Sequence, residues 1–309
     1  MLPNEFLAIR DTVRNWGRWG DDDRLGTLNF LTDEVVAAAA AEIQTGRRFS
    51  LAVPLQLDGV QLGSVPGRVN PLRTMVAVNA SLSPEPDAFH TSDDMVVMGL
   101  QAGTHWDGLG HVSYDEMLYG GRPDTGITEW GADELGIENV TSLTGRGVLL
   151  DMAAHFDADV VDLGRAITDA DLDAAVAGQN VEIRQGDIVL IRTGLMSHYL
   201  AGDKQTYNGW SGSPGPGLSA VEWFHRHDVA AVATDTYIFE CFPSEHDDAM
   251  LGVHMLGVVD MGLTQGQNWN LEELAADCQA DGRYSFFLEA SPQPFVGGCG
   301  SPVNPVAIK

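Results

Sequence analysis

Lysine is almost missing from this 309-residue chain: Lys204 and Lys309 are the whole supply, and 17 basic against 44 acidic residues give a formal charge of −27. A surface this acidic repels phosphate backbones, which excludes nucleic acid as a partner. No Lys/Arg-rich segment is there to dock on anionic lipid, so a membrane partner is excluded too. Long apolar runs are also lacking, none approaching the roughly 18–20 residues that span a bilayer. Residues 1–15 have neither the apolar stretch nor the small-residue cleavage site of a secretory signal. Cysteine is scarce: Cys241, Cys278 and Cys299 are odd in number and far apart, as reduced thiols are, without the pairing of a disulfide framework. A cytoplasmic protein is the expectation.

What is present is a globular composition, 44 % apolar, which excludes disorder. Internal repeats and low-complexity linkers are absent, so residues 1–309 read as one domain, with an arm of about residues 1–30 available to pack on a neighbouring subunit. The segment 32–45 has a Thr cap, acidic first-turn residues, an Ala-rich body and a stop at Gly46, which predicts a helix. Apolar runs at 147–152, 187–193 and 229–234 follow turn signals and predict buried strands. Helical patterns at 168–177 and 218–227 separate them. This alternation predicts an α/β sheet.

The densest polar cluster is Gln101 to His111, Q-A-G-T-H-W-D-G-L-G-H. His105 and Asp107 are two apart, so on a strand an imidazole and a carboxylate project to one face. Gln101 shares that parity, and the three offer an amide oxygen, a nitrogen and a carboxylate oxygen to one divalent cation. His111 follows Gly108 and Gly110, which let the chain turn and bring a second imidazole alongside as a general acid or base. Trp106, between the two ligands, reads as packing or as the wall of an aromatic pocket. Asp235 and Glu240 follow the 229–234 strand, at the kind of strand terminus where α/β sites lie.

G-T-H-W-D-G-L-G-H from Gly103 to His111 resembles the H-x-G-T-H-x-D-x-P-x-H signature of the cyclase family of metal-dependent hydrolases, which includes bacterial kynurenine formamidase and isatin hydrolase. W-G-x-x-D-x-x-G-T-L-N from Trp19, G-D-I-V-L-I-R-T-G from Gly186 and G-G-x-G-S-P-x-N-P from Gly297 are similar to its longer members. The resemblance implies a swivelling β/β/α-type single domain with a mixed sheet or barrel-like core flanked by helices. It implies Zn or Mn at Gln101, His105 and Asp107, His111 as the catalytic acid/base, and His254 with Gln267 at a downstream His/Glu pair. Gln101 and Gln267 replace a His and a Glu, and an uncharged amide binds cations more weakly; one metal ion is expected. Leu109 stands where the signature has Pro. A homodimer or homotetramer is implied as well.

The resulting expectation is hydrolysis of a small cyclic amide, lactone or N-formyl substrate by metal-activated water. Two alternatives keep the same residues: a metal-dependent cyclase or dehydratase step, and a binding protein whose metal site has decayed.

Overall fold

The computed structural model describes residues 1–85 and 87–309. Its strands are β1 (Arg48–Ser50), β2 (Leu72–Ser81), β3 (His90–Val97), β4 (His105–Asp107), β5 (Thr144–Asp151), β6 (Ile188–Arg192), β7 (Ala231–Thr234), β8 (Thr264–Gln267), β9 (Ser285–Glu289), β10 (Gly300–Pro302) and β11 (Val306–Ile308), with two-residue pairs in the connections. The main helices are α1 (Asn4–Val13), α2 (Asp33–Ala39), α3 (Asp169–Gln179), α4 (Leu218–Arg226) and α5 (Glu272–Asp281).

Nine strands form one curled mixed sheet in the order β1-β11-β9-β5-β6-β7-β8-β4-β10. The β5-β6-β7-β8 block is parallel, and antiparallel strands flank it on both sides. Apolar runs make the parallel block because both of its faces are covered. Val148, Leu150, Val189, Ile191 and Val232 point into one core. The alternating Leu149, Ile188, Leu190, Ala231 and Ala233 point into the other.

The expected strands and helices are present, with shifted ends. α3 carries a full capping box, Thr168 accepting from Asp171 N and the Asp171 side chain accepting from Thr168 N. α2 stops early, at Ala39, and continues as a 3₁₀ turn to Glu42. The cause is tertiary: the Glu42 carboxylate accepts from Arg146 Nε at 2.9 Å and Ser285 Oγ at 2.7 Å.

Within residues 1–30, read above as an arm available to a neighbouring subunit, α1 packs on its own chain. Phe6, Ile9 and Val13 of α1 are buried in the first core, and Arg14 grips Asp260 at 2.7 Å. β2 and β3 pair only with each other, as a ribbon that leaves the body just before the strand carrying His105 and Asp107. Among the described residues, no helix is long and apolar enough to cross a membrane.

Candidate metal centre

β4 lies antiparallel to β8, Gln265 facing Asp107, Gly266 facing Trp106 and Gln267 facing His105. Strand alternation therefore puts His105, Asp107, Gln265 and Gln267 on one face and Trp106 on the other. Trp106 is fully buried, donates from Nε1 to Ala290 O at 2.7 Å, and meets the Trp269 ring edge-on at 4.7 Å. It is a core residue and not a pocket wall, which corrects its placement among the substrate residues.

His105 Nδ1 lies 2.8 Å from Gly103 O. A carbonyl only accepts, so Nδ1 carries a proton, and in the neutral ring Nε2 is a bare lone pair. That nitrogen and Asp107 Oδ1 are 3.4 Å apart, fully buried, and neither has a hydrogen-bond partner. Two buried acceptors facing one another are costly unless a cation sits with them. Ligand atoms about 2.1 Å from one ion at the tetrahedral angle stand about 3.4 Å apart, so the pair fits a metal. His111 Nε2 lies 3.5 Å from the same Asp107 oxygen. Among the described residues no three His, Cys, Asp or Glu side chains make a complete ligand set, so His105 and Asp107 need further donors to fill a shell. The orphaned pair carries more weight here than the missing third ligand, because two uncompensated buried acceptors require an explanation and amide or water ligands can complete a shell.

Gln101 sits in the turn before β4, off the strand, so strand parity does not apply to it. Its amide lies over Gly300, the residue opposite Asp107 on β10, where a Cβ would come within 2.7 Å of Gln101 Nε2. Among the described residues it makes no hydrogen bond to His105 or Asp107.

The other members assemble from distant parts of the chain. Asp107 Oδ2 accepts from Gln267 Nε2 at 2.6 Å, and the same nitrogen is 3.4 Å from His254 Nε2. Glu240 accepts from Val253 N at 2.9 Å, His254 N at 2.8 Å and His254 Nδ1 at 2.6 Å, which fixes the imidazole's orientation. Burial pulls the His254 pKa down, but bonding to Glu240 outweighs it and the net shift is upward. Burial would raise Asp107, yet the surrounding imidazoles hold it well below the usual carboxylate range. Burial lowers His111. Its glycine turn is sterically required: a Cβ at Gly110 would lie 2.9 Å from Ala132 Cβ.

Asp235, grouped above with the site, is elsewhere. Its two oxygens accept from Thr193 N, Thr193 Oγ1 and Gly194 N at 2.7–2.9 Å, pinning the end of β6 to the end of β7. A cavity of about 340 Å³ opens on the cluster, with His111, His254, Gln267, Trp210, Tyr237 and Arg68 in its wall. Arg68 and Tyr237 were not legible in the sequence, since neither lies in a motif or shows a spacing relationship to the site.

The fold is thus a mixed α/β domain with a curled nine-stranded sheet, and an imidazole–carboxylate pair lies on β4, between β8 and β10. The family model described as "Putative cyclase" matches residues 49–240, and the chain belongs to that family. A crystal structure described as a novel cyclase is 40% identical over 97% of this chain and 99% of that one, with a TM-score of 0.87. Isatin hydrolase A from Ralstonia solanacearum is 20% identical, covering 89% of this chain and 97% of its own, TM-score 0.63. A structure described as a potential metal-dependent hydrolase with cyclase activity is 13% identical, covering 84% and 98%, TM-score 0.51. At these identities the last two share the fold. No curated protein matches the chain.

Proposed function

We propose that the protein is a metal-dependent hydrolase of a small cyclic amide, lactone or N-formyl compound, using one divalent ion, Mn or Zn, held by His105 and Asp107. The observation that carries this reading is the pair of buried, unpartnered acceptors His105 Nε2 and Asp107 Oδ1, 3.4 Å apart. A divalent ion there supplies Lewis acidity to a carbonyl oxygen and acidifies water. His111, whose pKa burial lowers, is the free base at neutral pH; it takes the proton from the attacking water and returns it to the leaving group. Gln267 holds the second oxygen of Asp107, and Glu240 sets the His254 ring beside it. The apolar walls suit a small neutral or weakly anionic substrate. Three unpaired thiols suit a cytoplasmic setting.

The test is elemental mass spectrometry of the purified chain beside His105→Ala/Asp107→Ala. Near one Zn or Mn per chain, lost in the double variant, is the expected result. A parent chain that holds no metal and takes none up on titration overturns the reading in favour of a metal-free binding protein. Labelled oxygen from water entering the product separates hydrolysis from a cyclase or dehydratase step, which adds no water.

A further inference from the structure

Among the described residues lining the cavity, Arg68 is the one permanent cation. The chain has 15 arginines, and twelve keep a carboxylate within 4.0 Å. Arg68, half-buried and in a protein with a large surplus of acidic groups, has none among the described residues. Its placement is built: Arg68 N donates to Val65 O at 3.2 Å, and Gly99 N to the neighbouring Val69 O at 3.1 Å. Its stem runs over Gly99, where a Cβ would lie 3.3 Å from Arg68 Cγ. The guanidinium is close enough to His111, His254 and Tyr237 for its charge to act on all three. A positioned fork of N–H donors that reaches the Tyr237 hydroxyl but has no carboxylate partner among the described residues, in the wall of a largely apolar cavity, matches a ligand carboxylate.

We infer that Arg68 is the anion-binding group of this cavity, and that the substrate is a small organic acid whose carboxylate meets the guanidinium while its apolar body lies on Trp210, Ile238 and Met250. The inference rests on the hydrolase reading for the word substrate, but not for the binding itself. Calorimetry with phenylacetate and its neutral isostere phenylacetamide on the purified protein tests it. Phenylacetate is expected to bind at millimolar or lower concentration and to weaken about tenfold or more in Arg68→Gln, with phenylacetamide unchanged. The parent titrated in the presence of a chelator is the control for carboxylate captured at a metal, and binding is expected to persist in it. No phenylacetate binding to the parent, equal binding in Arg68→Gln, or loss only with the chelator overturns the inference. If the chain holds no metal and turns nothing over while the Arg68 result stands, the hydrolase reading fails and the anion site does not.

Discussion

Gln267 donates its amide nitrogen to Asp107 Oδ2 at 2.6 Å from the adjoining strand. The same nitrogen faces His254 Nε2 at 3.4 Å, and that ring nitrogen lies 4.0 Å from Asp107 Oδ2, so a neutral amide sits between the carboxylate and the imidazole. The N–H donors do there what a second cation would do. Gln267→Glu removes them and adds a charge, and metal content is expected to rise from about one to about two ions per chain, measured by elemental analysis after dialysis. An unchanged stoichiometry means that the amide is not what keeps the second ion out.

His111 reaches Asp107 from outside the strand and faces the cavity. On the proposed mechanism it carries the proton and holds no metal. His111→Ala is expected to lose on the order of a hundredfold or more in kcat with metal content intact. Loss of metal in this variant would make His111 a ligand.

Gly266 sits opposite Trp106, and a Cβ there would lie 2.7 Å from Trp269 Nε1 and 2.8 Å from Trp106 Cζ3 and Ala233 Cβ. Rings packed on a sheet face yield little. Gly266→Ala is expected to cost about 1–3 kcal/mol of stability, read from urea denaturation midpoints. A midpoint equal to the parent's would show that the Trp pair shifts freely.

Asp187 is buried against Arg146 and burial pushes its pKa up to about 6, despite the opposing charges of Arg146 and Arg184. The folded chain thus binds this proton more tightly than the unfolded one. Its contribution is fully present below pH ~4 and is lost as the pH rises through ~6. In Asp187→Asn the carbonyl oxygen can keep both bonds, because Arg146 Nη1 and Arg184 N share Oδ2. Parent stability relative to this variant is expected to fall by on the order of 3 kcal/mol from about pH 4 to about pH 6.5 and to level off above. A pH-independent difference, measured by chemical denaturation across this range, would contradict the burial argument.

Local chemistry made part of this protein readable. The apolar runs of β5, β6 and β7 encode strands because both faces of a parallel block are buried, and Thr168 encodes the start of α3 through its own capping hydrogen bonds. The His105/Asp107 pair is legible for the same reason, since alternation along one short strand suffices to aim both side chains together. β2 and β3, which form a ribbon outside the main sheet, carry no such signal.

The sequence by itself determined the α/β class, the acidic surface and the imidazole–carboxylate pair, all set by composition or by neighbours a few residues apart. Only the tertiary structure decided that Gln101 lies over Gly300, opposite Asp107, that Trp106 is core, that Asp235 pins two strands, and that α1 folds onto its own chain. It also brought Gln267 to Asp107 across 160 residues and Arg68 to the cavity mouth. Such contacts depend on which strands become neighbours in the sheet, and no local periodicity records that choice.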